Sequence, residues 1–454
     1  MRNRNKAVFS MLMLGSCLLF YGFFAIYDGA VICVDSPSYI HMESSREPFY
    51  PLLLATFRAL FSFALESFYL EMIAYFQSIL AALTTFSLIQ YIRKEFNLSK
   101  IMSLFVLALP LAVSLLCRFI AKRESMYSNS ILTEGIAISL FLLFFRFLLE
   151  YYFHQTKKSL ICSTFIVFVL LSTRKQMAVS LFLLLLSVMY IGIMTKKLIK
   201  TISLVLALMV VTVGGSTALD LGYNYALRGE TVTHSSDVRF ITTIAFYTAN
   251  REDAELIQDA KTKDLFLKIY DTCDESGYLK HSAGPGWSNR VSHFGDNYDL
   301  IQIDTMWPMV NEFVNNEYGF EYVELNVKAD EIMKDINKTV LPHRIGSVIE
   351  VFLDNFRSGL VTTVAQRNWL LNIYSIIIYL IYLVALVCLW CKGKNSKIVG
   401  FAVWVLISIV LNVGLCSLVI FCQTRYTIYN MALFYISLLV MVETLIQERK
   451  VKGA

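Results

Sequence analysis

Apolar runs of about twenty residues, separated by short polar stretches, repeat along most of this chain. A bilayer core about 30 Å thick needs roughly 20 helical residues to cross it. Ten stretches fit: 8–26, 68–91, 101–119, 131–149, 159–173, 177–194, 201–219, 369–390, 398–420 and 427–446. Pro51–Ala64 is also apolar, but it is short, contains Arg58 and is bounded by Pro48 and Pro51. That pattern predicts an amphipathic helix lying along the membrane surface. From 220 to 366 the pattern becomes that of a soluble, mainly helical segment. Glu252–Tyr270 and Arg344–Phe356 carry apolar residues at helical spacing. Ser282–Asp299 is rich in Gly, Asn, Ser and Pro and predicts a solvated loop, in or beside which His281, Trp287, His293 and Asp296 could line a cleft.

The expected fold is therefore an all-α polytopic membrane protein. Residues 1–219 form a seven-span module, 220–366 a soluble domain and 367–454 a three-span module. Composition agrees: 56% of residues are hydrophobic, 17% are charged and the mean hydropathy is +0.57, which excludes an ordinary soluble protein.

Charge sets the expected orientation. Asp220–Arg367 holds 14 Lys/Arg against 23 Asp/Glu, so the positive excess of the chain lies in the membrane part. Arg2, Arg4 and Lys6, then Arg93, Lys94 and Lys100, then Lys157 and Lys158, then Lys196, Lys197 and Lys200 occupy every second connection. Lys392, Lys394 and Lys397, and finally Arg449, Lys450 and Lys452, complete the series. Basic connections face the cytoplasm, which predicts cytoplasmic termini and an outer 220–366 segment. Counting Pro51–Ala64 as a crossing would invert the later loops. Trp369 and Trp390 bracket one span about 32 Å apart, as interfacial anchors do. This basic excess marks orientation and predicts no nucleic-acid partner.

Leu14-Gly15-Ser16-Cys17 loosely resembles a lipoprotein cleavage box, but Leu18–Ile26 stays apolar, so an uncleaved first span is expected. The nine cysteines form no metal or disulfide pattern. Cys388 and Cys391 have CxxC spacing at the inner end of a span, and Cys273 is alone in the outer segment. Asn337-Lys338-Thr339 is a glycosylation sequon without meaning in the bacterial host favoured here.

Cations on the outer side run against the orientation rule and call for a reason. They are Arg46, Lys122 with Arg123, Arg174 with Lys175, and Arg425. Each alone could snorkel from a span end. Arg174 and Lys175, however, join two spans with almost no loop, where an anionic lipid head group is a natural partner. The first outer loop reads Asp35-Ser36-Pro37-Ser38-Tyr39, then Arg46-Glu47-Pro48-Phe49-Tyr50-Pro51, with Asp28 at the end of the first span. A carboxylate facing cations at this boundary can take a proton from an acceptor hydroxyl while the cations stabilise a departing phosphate. Locally, Asp35 could instead merely open an Asx-Pro turn.

These residues resemble the GT-C class of polyprenyl-phosphate-sugar-dependent glycosyltransferases, in the bacterial branch similar to protein mannosyltransferases and aminoarabinose transferases. The resemblance rests on the Asp-Ser-x-Ser-Tyr and Arg-x-Pro-x-Tyr-Pro motifs above, Thr133-Glu134 opening the fourth span, Arg174 between the fifth and sixth, and Arg425-Tyr426 opening the last. It covers Met1 to about Lys200 and the final span. It implies that Asp35 is the base of an inverting transfer, that Arg46, Arg174, Lys175, Arg425 and Tyr426 hold the donor phosphate, and that Tyr39, Tyr50, Glu134 and Asp28 shape the site. Two departures are a shorter stretch between Tyr39 and Arg46, and Lys175 where proline is frequent. No cofactor is firmly implied. No Asp-x-Asp pair marks a metal site, although Asp28 or Glu134 could still contribute a ligand to a divalent ion. The implied partners are a polyprenyl-phosphate-linked sugar, a glycan, lipid or protein acceptor, and membrane lipids, at a bacterial cytoplasmic membrane. Rival readings are an O-antigen-type polymerase or ligase, a lipid or glycan transporter, and a non-catalytic receptor or assembly subunit.

Overall fold

The computed structural model describes residues 2–64, 67–120, 124–235, 237–393 and 396–453. Lys122, Arg123 and Lys394, which enter the charge pattern above, lie outside the described residues.

The chain is all-α. Its helices are α1 (Arg2–Asp28), α2 (Ser36–Ile40), α3 (Phe49–Leu60), α4 (Phe68–Glu95), α5 (Lys100–Ile120), α6 (Glu134–His154), α7 (Lys157–Thr173) and α8 (Ala178–Met194). They continue with α9 (Leu198–Arg228), then α10 (Val238–Thr248), α11 (Ala260–Glu275), α12 (Trp287–Asp299), α13 (Trp307–Tyr318), α14 (Tyr322–His343), α15 (Ile345–Val364), α16 (Trp369–Lys392) and α17 (Ser396–Val419). The last is α18 (Thr424–Gln447). Among the described residues, nine helices are long and apolar enough to cross a membrane, so this is a multi-pass membrane protein. Nine of the ten expected spans coincide with them. The tenth, at 159–173, is α7, whose 17 residues cover about 25 Å. Pro51–Ala64 yields the short helix α3, whose 12 residues extend about 18 Å, too short to cross.

The chain folds into two compact units. Met1–Tyr223, Trp369–Leu411 and Ile428–Ala454 make the first, so both expected membrane modules contribute to one body. Within it α1 packs on α4, α4 on α6 and α6 on α7. In lipid, packing between helices depends on close approach rather than on hydrophobic burial, and small residues permit it. The buried face of α4 is accordingly rich in Ser78, Ala81, Ala82, Thr84 and Thr85. At Gly135 a Cβ would collide with the Gln77 amide, so α4 and α6 touch there only because residue 135 is glycine.

One end of this unit gathers residues of the basic connections. Arg93 reaches Ser10 and lies 4.6 Å over the Phe9 ring, and Lys100 faces the same ring. Glu95 binds His154 at 2.8 Å and Lys397 at 2.5 Å. The start of α6 meets the end of α7 at the opposite end, through Glu134 and Arg174. α7 therefore runs back along α6 through the thickness that α6 itself spans.

Asn224–Asn368 with Asn412–Thr427 make the second unit. Its core joins Phe246, Phe266, Tyr298, Ile301, Met333, Ile336 and Val340. Two expectations for this segment need correction. The loop expected over Ser282–Asp299 becomes helical from Trp287, because Val291, Phe294, Tyr298 and Ile301 form a buried stripe at helical spacing. Gly284, Pro285 and Gly286 lie ahead of that helix, where Gly286 holds φ +87°, and Gly295 lies within it. His293 lines no open cleft: its ring nitrogens meet Tyr247 Oη at 3.2 Å and Gly277 O at 3.0 Å. The helix expected over Glu252–Tyr270 is broken at Ile257–Asp259, where extended Asp259 accepts from Thr262 N–H at 2.7 Å and starts α11 afresh. Of Arg344–Phe356, Ile345–Phe356 is helical within α15 and Arg344 precedes its first turn.

Candidate functional site

At the Glu134 end of the first unit, the chain after α1 is fixed before it reaches Asp35. Gly29 turns with φ +60°, and the Glu71 carboxylate accepts the Ala30 N–H at 3.0 Å. Val31 then pairs with the segment ahead of α6, donating to Asn129 O at 2.9 Å and accepting from Ile131 N–H at 3.0 Å. Ser36 Oγ accepts from Cys33 N–H at 2.7 Å and donates to Ile131 O at 2.8 Å. The loop that carries Asp35 is thus held to the entrance of α6.

Asp35 occupies the N-cap position of α2, yet its side chain makes no cap hydrogen bond. The carboxylate instead accepts from Arg46 Nη2 at 3.2 Å. Arg46 also donates from Nε to Ser38 Oγ at 2.7 Å and from Nη1 to Tyr39 Oη at 3.3 Å, with its guanidinium 4.6 Å from the Tyr39 ring centroid. Three of the five guanidinium donors are used in this way. Arg46 thus ties Asp35 to the Ser38 and Tyr39 side chains of α2. The Asp35 and Arg46 side chains stay 31% and 22% exposed, enough for a substrate to reach them.

Tyr39 is buried and meets the Tyr50 ring edge-on at 5.4 Å. Burial pushes the Tyr39 phenol up to about 12, with Glu134 and Glu47 adding to the shift and Arg46 and Arg174 opposing it. Tyr50 is driven well above the ordinary tyrosine range, first by burial. Both are neutral hydrogen-bonding groups at physiological pH. Burial works against the Arg46 charge, but Tyr39, Asp35 and Glu47 together outweigh it and hold this cation above its ordinary value. Tyr50 Oη donates to Gln77 Oε1 at 2.9 Å, and Gln77 Nε2 reaches Ser128 O and Ser130 O at 3.2 and 3.1 Å.

Glu134 and Arg174 form a second pair, 2.5 Å apart, with the Glu134 side chain fully buried and Arg174 16% exposed. Thr133 Oγ1 bridges them, 3.2 Å from Glu134 Oε2 and 3.5 Å from Arg174 Nη1. Lys175 is exposed, and its backbone N–H donates to Glu47 Oε1 at 2.9 Å, tying this corner to the Arg46 loop. Behind Glu134 lies a narrow recess lined by Tyr21, Thr85, Ser114, Ser128 and Ser139 among others.

The structure thus brings together Asp35, Tyr39, Arg46, Tyr50, Glu134, Arg174 and Lys175 of the expected set. Asp28 bonds Arg118 on α5, whose guanidinium also covers Phe24 at 4.8 Å. Arg425 and Tyr426 belong to the second unit, where Asn412 Nδ2 donates to Tyr426 O at 2.9 Å. Among the described residues, no group of three or more His, Cys, Asp or Glu could hold a metal.

Sequence reasoning did not single out Ser38, Glu47, Gln77 or Arg118. Ser38 and Glu47 stand inside the two motifs already quoted. Gln77 was legible as an amide within an apolar span, and Arg118 as a further cation in the last turn of one. Comparisons of the chain with protein-family models, curated proteins and solved structures find no match.

Proposed function

We propose that this protein is an inverting glycosyltransferase that moves a sugar from a polyprenyl-phosphate carrier to a hydroxyl acceptor on a cell-surface glycan, lipid or protein. The single observation that carries the reading is the Arg46 fork, which holds the Asp35 carboxylate at the end of the bundle opposite the Arg93, Lys100 and Lys397 cluster. Asp35 takes the acceptor proton as the acceptor oxygen bonds the anomeric carbon from the face opposite the phosphate. The carbon–oxygen bond to phosphate breaks and the phosphate keeps the electron pair. Arg46 and Arg174 supply positive charge where that anion develops. A phosphate monoester is a weak base, so no general acid is required. The Glu134 carboxylate orients Arg174, and Tyr39 is a neutral hydrogen-bonding partner of Arg46.

In this reading α7 is a tenth crossing, which returns both termini to the cytoplasm of a bacterial cell. The Asp35 loop then lies outside. Met1 to about Lys200 and the final span resemble the GT-C class, and that resemblance supports the same assignment. The test uses purified protein with a labelled polyprenyl-phosphate sugar and a hydroxyl acceptor. Asp35→Asn is expected to lower turnover roughly 10²- to 10⁴-fold while the melting temperature stays near that of the parent. Undiminished turnover would remove Asp35 from the chemistry.

A further inference from the structure

Helix α15 carries a bare apolar stripe. Ile345, Ile349 and Leu353, one turn apart, are 55%, 50% and 54% exposed. Half-buried Phe352 and Phe356 flank them, with rings 5.8 Å apart. At about 100° of rotation per residue, these five positions fall within about 100° of one another and form one face. The charged side chains of the same turns point elsewhere, Glu350 to Lys280 and Asp354 to Arg290. Exposed Arg357 stands at the edge of the stripe. Contiguous exposed apolar surface of this kind marks an interaction site.

What this face meets at one end identifies its partner. Phe356 lies against Gly414, and a Cβ at Gly359 would collide with Val413 and crowd Cys422. Ser358 Oγ donates to Cys422 O at 3.5 Å, and α15 also packs on the first turn of α18. Val413 and Gly414 lie in α17, about 8 Å before its end at Val419. The 24 residues of α17 cover about 36 Å, about 6 Å more than a bilayer core. Even with all of that excess at this end, the contact with α15 falls within the apolar layer. Four residues after Val364 the chain enters the next span, α16, at exposed Trp369. The C-terminal half of α15 is therefore tied to one membrane span and leads into another. The turns before Phe356 carry the same apolar face past the side of α17, where lipid surrounds a membrane helix.

We infer that α15 lies in the membrane interface, with Ile345, Ile349, Phe352 and Leu353 among the lipid chains and Arg357 at the head groups. The inference concerns α15 alone and stands whether or not the Asp35 chemistry does.

The experiment uses the full chain in vesicles of phosphatidylethanolamine and phosphatidylglycerol. Its native cysteines are replaced, and a nitroxide is attached at one position at a time from 345 to 357. Collisions are measured with oxygen, which concentrates in lipid, and with a water-soluble nickel chelate. Positions 345, 349, 352 and 353 should give oxygen-to-nickel ratios several-fold above that of 350, rising and falling with the helical period. Free nickel access along the stripe overturns the inference, because the face is then in water. Shielding from both reagents also overturns it, because a second copy or another protein then covers the face. If the cysteine-free chain does not fold, Leu353→Trp in the native chain replaces it. Brominated acyl chains should quench the added emission and aqueous iodide should not. Quenching by iodide, or by neither, overturns the inference on the same grounds.

Discussion

Glu134 and Arg174 meet at 2.5 Å where one membrane helix begins and another ends, and the carboxylate of that pair is fully buried. An ion pair in a bundle is held by mutual need, since removing one partner leaves a charge with its closest counter-charge gone. Glu134→Ala is therefore expected to destabilise the protein by about 3–5 kcal/mol, read as a fall in melting temperature in detergent. Glu134→Gln keeps the volume and a neutral acceptor, so it should lose less stability. Equal losses in the two variants would show that shape, and not charge, matters at this position.

Arg46 serves Asp35, Ser38 and Tyr39 from three different nitrogens. A lysine ammonium has a single nitrogen and cannot spread its donors over the same three groups. Arg46→Lys keeps the charge yet should lower transferase turnover roughly 10²-fold, because the carboxylate is no longer held in place. Turnover near that of the parent would show that charge alone suffices.

Tyr39 predicts an alkaline limit. Its folded-state pKa stands at about 12, raised first by burial, against about 10 for an exposed tyrosine. Between those values the unfolded chain has lost a proton that the folded chain keeps, so stability is complete below about pH 10 and falls towards pH 12. The loss amounts to about 2–3 kcal/mol. Tyr39→Phe should make the slope of a pH series of melting temperatures above about pH 9.5 shallower, with Tyr50 and other buried tyrosines keeping the remainder, and an unaltered slope would show that Tyr39 contributes none of it.

Gly135 tests the close approach of α4 and α6. A Cβ there falls on the Gln77 amide, which also holds Tyr50 and the carbonyls of Ser128 and Ser130. Gly135→Ala should cost about 1–3 kcal/mol by overpacking, despite the better helix propensity of alanine. A gain in stability would mean that Gln77 can move aside.

Sidedness is testable by chemistry from outside the cell. Glu47→Cys and Lys158→Cys, each in a chain with its native cysteines replaced, should differ in reaction with a membrane-impermeant maleimide on intact spheroplasts. Position 47 should label and position 158 should not. The reverse pattern would invert the topology, and labelling at both positions would show that α4, α5 and α6 do not all cross.

The sequence by itself determined the helical membrane character of this chain, because twenty apolar residues in a row have few other places to go. It also singled out Asp35, Arg46 and Arg174, since charged groups beside apolar spans stand out in one dimension, and Glu134 through the family resemblance. What it missed were relations between residues. Ser282–Asp299 reads as a loop by composition, but Val291, Phe294 and Tyr298 are helical because a core waits on one side of them. Gln77, Glu71 and Arg118 find their partners 27 to 90 positions away in the chain, distances that no local pattern encodes. Only the tertiary structure decided that Asp35 is held by Arg46 rather than capping its own helix. The reason is competition for one carboxylate, in which an arginine eleven residues on prevailed over the backbone N–H groups nearby.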